Sequence, residues 1–91
     1  MGMEVVELVM VLEDELKIQL PGTVVSSLWE GRADIQVRDF AAMLEEQVRR
    51  QIPSFQGDLM GLLRRAISEE TNLDDLKITP DSWFKHDLDL E

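Results

Sequence analysis

The chain has 91 residues, of which 19 are acidic and 9 are basic, so its formal net charge is -10. This charge disfavours binding to nucleic acids or anionic membranes and favours partners with basic surfaces. The absence of cysteine excludes disulfides and thiolate metal sites, and a single histidine, His86, argues against a histidine-based metal or catalytic site. The 44% apolar content predicts one folded domain over residues 1–91. No apolar run is long enough to span a bilayer and no signal peptide is visible, so a cytoplasmic protein is expected.

The first element is an acidic helix within Met3–Gly22, which Pro21 and Gly22 are expected to stop. Its apolar residues recur at helical spacing and can face a core: Leu8, Val9, Leu12 and Leu16. Most of its carboxylates fall on the other side. The pattern therefore predicts an amphipathic helix with an acidic outer face.

A loop with one short helical turn, residues 25–29, follows and should end at Gly31. The apolar residues of this loop are expected to pack against the underside of the helical bundle. Asp34 then opens a second main helix over Gln36–Gln51, with Val37, Phe40, Ala41, Leu44 and Val48 forming a buried stripe. Pro53 stops this helix.

A third main helix is predicted over Leu59–Glu70, with Asp58 as its N-cap and Asn72 as its terminator. The remaining segment, Leu73–Glu91, is acidic and irregular. Its apolar residues are spaced as anchors that pin the segment to the bundle: Leu73, Leu76, Ile78, Phe84, Leu88 and Leu90. Trp29 and Trp83 are expected to be satellite core residues. The fold class is thus all-α, a bundle of three main helices plus a short helical turn.

The helix sequence M-E-V-V-E-L-V-M-V-L-E-D-E-L over Met3–Leu16 resembles the acidic helix of acyl carrier proteins. In that family the helix follows a carrier serine, in the typical form D-S-L-D-x-V-E-L-V-M-A-L-E-E-E-F. QVRDFAAML over Gln36–Leu44 resembles the family's last helix, and WFKHDLDL over Trp83–Leu90 resembles the F-x-x-D-L-G-x-D stretch that leads into the serine. The family's first part therefore stands last in this chain. The resemblance implies a circularly permuted order, in which residues 52–58 join the old termini.

The resemblance implies a carrier role, in which acyl intermediates travel as thioesters on a 4'-phosphopantetheine arm for fatty acid or polyketide-type synthesis. It implies no catalytic residues. Gly2 occupies the family's serine position and has no hydroxyl, so we expect no attached phosphopantetheine and an attachment-deficient form. Asp81-Ser82-Trp83 superficially matches the attachment motif, but no acidic helix follows it.

Two sets of residues carry the family's binding roles. The resemblance implies a face that meets basic-surfaced acyl-processing enzymes, formed by Glu4, Val6, Glu7, Met10, Glu13 and Asp14. It also implies an interior that shelters an acyl chain, lined by Leu8, Leu12, Leu20, Phe40, Leu44 and Phe84. Without the resemblance, the acidic face would be read as an ordinary solvated helix surface.

Alternatives remain open at this stage. The chain could be an acidic helical interaction module, or an engineered permuted protein without carrier activity. The alternating carboxylates Asp87, Asp89 and Glu91 lack the glycine turn and closing glutamate of a calcium loop, so they predict at most weak cation binding. A monomer is expected, with a swapped dimer as the alternative.

Overall fold

The computed structural model describes residues 3–90, whose regular elements are all helical. Its elements are α1 (Met3–Leu16), α2 (Gly22–Ser27), α3 (Val37–Gln51), α4 (Leu59–Thr71) and a single 3-10 turn, η1 (Asp75–Lys77). Residues 3–90 contain no β-strand, and one isolated bridge pairs Gln36 with Trp83. The predicted bundle of three main helices with one short helix is confirmed.

Helix α4 is the common partner of the other elements, since it packs against α1, α3 and η1. It runs antiparallel to α1. Near one end of this helix pair Glu15 and Leu62 line the same small hollow, and at the other end Glu7 lies beside Glu70. The two helices thus bring the acidic start of α1 next to the acidic end of α4.

The core is continuous and draws on every helix and on the irregular segments. Its largest fully buried side chains are Phe40 and Phe84, whose rings stack with centroids 5.4 Å apart. Around this pair lie other fully buried residues: Leu8, Leu12, Ile35, Leu44, Leu63, Ile67, Ile78 and Leu90. The aromatic pair therefore joins α3 to the carboxy-terminal segment at the centre of the domain.

The end of α1 differs from the prediction. The helix stops at Leu16 because Lys17 takes a left-handed conformation with φ 57°, a common way for a helix to end. Pro21 and Gly22 begin the next helix instead of stopping the first. The Pro21 carbonyl accepts the N–H groups of both Val24 and Val25, so α2 starts at Gly22 and not at the predicted residue 25.

The start of α3 also corrects one prediction. Gln36 is the N-cap, and its N–H donates to the Asp39 carboxylate over 2.9 Å in a reciprocal capping box. Asp34 does not cap the helix, because its side chain binds backbone amides elsewhere. At α4 the predictions are confirmed: Asp58 accepts from the Gly61 N–H over 3.0 Å, and Asn72 ends the helix with φ 61°.

Most predicted anchors of the carboxy-terminal segment are confirmed. Ile78, Phe84, Leu88 and Leu90 are buried, and Leu73 is partly buried. Leu76 was wrongly placed among the anchors. It lies in the 3-10 turn, which turns its side chain outward and leaves it 77% exposed.

The two tryptophans differ in their surroundings. Trp29 is partly buried and packs edge-on against Phe84 with centroids 5.8 Å apart, as expected for a satellite core residue. Trp83 is exposed, which contradicts the same expectation for it. Its neighbour Phe84 is fully buried, at the start of a turn in which the Asp87 and Leu88 amides donate to the Trp83 carbonyl.

Candidate partner-binding face of α1

The outer side of α1 carries an exposed stripe of mixed acidic and apolar residues. Glu7, Met10 and Asp14 are exposed and lie three and four positions apart, so they follow one line along the helix. Met10 is 61% exposed and Val6 beside it is 38% exposed. A partly apolar stripe flanked by carboxylates can anchor a partner side chain while attracting a basic surface.

The negative charge of this face extends onto α4, which the sequence analysis missed. Burial raises the pKa of Glu70, and a hydrogen bond with the Glu7 side chain and the charges of Glu7, Glu4 and Glu69 raise it further. The two helix ends therefore share one crowded acidic surface. Glu69 and Glu70 are adjacent carboxylates in the last turn of α4, where negative charge opposes the helix dipole. This unfavourable placement was the signal in the sequence that could have indicated the shared acidic surface.

Glu13 occupies a different position from the other residues assigned to the face. It is partly buried, and its carboxylate accepts the N–H of Leu20 over 2.9 Å. The chain reversal at Lys17 brings this amide back toward α1. The Glu13 charge thus stabilises the segment that follows the helix, so we leave it out of the partner-binding face.

The other two carboxylates assigned to the face, Glu4 and Asp14, are both exposed but have different neighbours. Glu4 is exposed and points toward α4, where it contributes to the raised pKa of Glu70. Asp14 forms a solvent-exposed ion pair with Lys17, with 3.8 Å between the nitrogen and oxygen atoms. Such exposed pairs contribute little stability and break readily.

The residues assigned to an acyl-sheltering interior do come together in the core. All six are buried: Leu8, Leu12, Leu20, Phe40, Leu44 and Phe84. They belong to α1, the loop after it, α3 and the carboxy-terminal segment. The Phe40–Phe84 stack lies within this group, so these two rings fill part of the predicted interior.

A separate surface cleft of about 490 Å³ lies at the α3–α4 connection. It is lined by residues of the end of α3 and the start of α4, including Val48, Ile52, Phe55 and Met60. None of the residues that line it belongs to the predicted acyl interior. Residues 52–58, the connection predicted to join the family's original termini, therefore border a cleft that is separate from the predicted acyl interior.

Of the two positions considered for phosphopantetheine attachment, the structure describes Ser82 but not Gly2. Gly2 lies outside the described residues, as do Met1 and Glu91. Ser82 is buried, and its hydroxyl is hydrogen-bonded to Thr79, accepting the N–H of that residue over 3.0 Å. It is a turn residue and is poorly placed to accept a prosthetic group.

Residues 3–90 include no cluster of histidine or acidic side chains arranged to hold a metal ion. Across the same residues, no helix combines the length and the apolar composition needed to cross a lipid bilayer. Comparisons with known protein families, curated proteins and solved structures give no match for this chain. The fold and the site together define a small helical bundle with an acidic and partly apolar face on α1.

Proposed function

We propose that this chain is an acyl-carrier-like domain that binds basic-surfaced acyl-processing enzymes through α1 and lacks the hydroxyl needed for attachment. The observation that carries the proposal is the exposed stripe of Glu7, Met10 and Asp14, on the side of α1 opposite its buried residues. The sequence resemblance of Met3–Leu16 to the acidic helix of acyl carriers supports it. The domain acts by recognition, with no chemical step assigned to its own side chains.

Physical reasoning favours recognition by this surface. Carboxylates at the two ends of α1 and at the end of α4 give a local excess of negative charge, which speeds encounters with a positive surface. Met10 is flexible and apolar, and such a side chain adapts to a shallow pocket. Charge then sets the orientation and rate, while the methionine contributes contact area.

The 4'-phosphopantetheine arm of acyl carriers does not fit the chain as it stands. The family's attachment position holds Gly2, and the Ser82 hydroxyl is already engaged within a buried turn. We therefore propose no acyl transfer through this arm. The permuted element order belongs to the same proposal, since it follows from the resemblance of Trp83–Leu90 to the stretch that precedes the carrier serine.

Restoring the hydroxyl tests the proposal. The protein and its Gly2→Ser variant are incubated with coenzyme A and a broad-specificity phosphopantetheinyl transferase, and the intact masses are measured. The unaltered chain should keep its mass, and Gly2→Ser should gain one phosphopantetheine. Adding Ser82→Ala to both proteins should change neither result.

Failure of Gly2→Ser to gain mass while remaining folded would contradict the carrier-like assignment and leave an acidic interaction domain. Modification of the unaltered chain would contradict the attachment-deficient form. If Ser82→Ala then abolished that modification, Ser82 would be the attachment residue.

The α1 face is tested in the same assay. In the Gly2→Ser background, Glu7→Lys and Met10→Ala should each slow modification about tenfold, since central interface residues dominate binding. Glu30→Lys, which makes the same charge change at an exposed position outside α1, should have little effect. Added salt should slow the parent strongly and Glu7→Lys less. Equal rates for Glu7→Lys and Glu30→Lys would show that α1 is not the recognition surface.

A further inference from the structure

Residues 79–90 cross the bundle without forming a helix or a strand, and we name them the strap. Its backbone hydrogen bonds to the rest of the molecule are concentrated on residues 34–38. The amides of Val37 and Arg38 donate to carbonyls in the strap over 2.8 and 3.0 Å, and the Phe84 amide donates to Ile35 over 2.8 Å. No hydrogen bond within residues 3–90 joins the strap to α1, α2 or α4.

One side chain ties two successive amides of the strap to this attachment stretch. The Asp34 carboxylate accepts the N–H of Lys85 over 2.9 Å and the N–H of His86 over 3.0 Å, one on each oxygen. It also accepts the N–H of its neighbour Ile35 over 2.8 Å. A carboxylate that receives several backbone N–H groups forms strong, charge-assisted hydrogen bonds.

The ionised form of Asp34 is the one these contacts favour. Burial raises the pKa of its carboxyl, but the backbone hydrogen bonds from Lys85, His86 and Ile35 and the Lys85 charge outweigh burial and leave the pKa below its ordinary value. The strap amides thus stabilise the Asp34 charge, and that charge is one of several contacts that hold the strap.

The strap contributes one of its own residues, Phe84, to the aromatic centre of the domain. Phe84 is fully buried between Phe40, on which it stacks, and Trp29, which meets it edge-on. Leu88 and Leu90 are buried as well. Because α4 packs against α1 and α3 independently of these residues, the three main helices retain direct contacts when the strap is lifted.

We propose that the strap is a latch-held lid, which opens as one unit when Asp34 releases Lys85 and His86 while α1, α3 and α4 stay packed. Opening exposes Trp29 and Phe40 to solvent. The strap then opens at a lower free energy than α4 unfolds, and Asp34 contributes to how often it opens. This device rests on the contacts of residues 34–38 and does not depend on the carrier-like function.

Amide hydrogen exchange on the unaltered protein tests the opening directly. The amides of Phe84, Lys85 and His86 should exchange together, and faster than those in the middle of α4, since sub-global opening requires less free energy than unfolding. Low concentrations of denaturant should accelerate α4 more than the strap. Strap amides that exchange only with α4 would overturn the proposal.

Variants of Asp34 test the latch. Asp34→Ala should accelerate exchange of the Phe84 amide, whose hydrogen bond goes to Ile35 and not to Asp34, by about tenfold while leaving α4 nearly unchanged. Asp34→Asn keeps one acceptor oxygen and should have a smaller effect, and it serves if the alanine variant does not fold. Asp14→Ala, a carboxylate on α1 with no strap contact, is the matched control. Unchanged strap exchange in Asp34→Ala and Asp34→Asn would contradict the role of Asp34.

Discussion

Gln19 and Gln51 hold the segment after α1 against the end of α3 through two reciprocal hydrogen bonds. The Gln19 N–H donates to the Gln51 side-chain oxygen, and the Gln51 side-chain nitrogen donates to the Gln19 carbonyl, each over 2.8 Å. The Gln51 side-chain amide thus satisfies both the N–H and the carbonyl of Gln19, as the backbone of a neighbouring β-strand would. The pair ties the segment between α1 and α2 to a helix 32 positions further along the chain.

Gln51→Ala removes both of these hydrogen bonds. Because the pair is exposed, water replaces part of the lost interaction, and we expect the free energy of unfolding to fall by about 1 kcal/mol. Urea denaturation followed by circular dichroism measures the change. Gln56→Ala, at an exposed glutamine in the α3–α4 connection, is the control and should be neutral. Equal stabilities of the two variants would show that the Gln19–Gln51 pair contributes nothing.

Glu70→Gln should stabilise the protein at neutral pH by about 0.5 kcal/mol, because it removes a charge repelled by its neighbours. The folded-state pKa of Glu70 lies above its ordinary value of 4.5 through burial and the nearby Glu7, Glu4 and Glu69. The favourable protonated form is therefore present below that ordinary value and is lost as the pH rises through the raised pKa.

The stabilisation by Glu70→Gln should accordingly vanish in acid and grow as the pH rises to neutrality. Thermal unfolding of the variant and the parent at a series of pH values measures it, with Glu30→Gln as an exposed control. A gain in stability that did not change with pH would rule out relief of charge repulsion as its cause.

Leu88→Ala and Leu76→Ala form a matched pair on the carboxy-terminal segment. Leu88 is buried and Leu76 is 77% exposed. Truncation at residue 88 should lower the free energy of unfolding by about 3 kcal/mol through lost burial and a residual cavity. Truncation at residue 76 should change it by less than about 0.5 kcal/mol. Similar losses in both variants would mean that the segment follows a different path across the bundle.

Gly31→Ala tests the turn between α2 and α3. Gly31 has φ 75°, and nothing lies within 4 Å of where a Cβ would stand, so the cost is conformational only. We expect a loss of about 1 kcal/mol. Gly22→Ala, which is also unobstructed but lies at the start of α2, should be neutral or slightly stabilising. Chemical denaturation of both variants compares them, and a neutral Gly31→Ala would exclude the left-handed conformation.

The sequence was most informative where structure is local. The periodic apolar residues of α1, α3 and α4 predicted those helices, and Asp58 with Gly61 shows how a cap can be read from nearby residues. The outward position of Glu7 and Asp14 followed from the same periodicity, whereas the exposure of Met10 between them was expected from the family resemblance. These features depend on residues within one or two helical turns of each other.

The features that sequence reasoning missed depend on the path of the chain. Glu13 leaves the outer face only because Lys17 reverses the chain and returns the Leu20 amide. The contact of Asp34 with His86 joins residues 52 positions apart, and no local pattern indicates it. Leucines 76 and 88 are chemically identical, so only the course of the segment decides which of them is buried.

The central position of α4 also constrains the order of events during synthesis. Helix α1 is made first, yet its antiparallel partner α4 emerges only after the whole stretch from Lys17 to Asp58 has been translated. Until then the apolar stripe of α1 lacks that covering surface, and closing so large a loop slows its burial. The apolar stripe of α1 is therefore buried late, only after α4 has been translated.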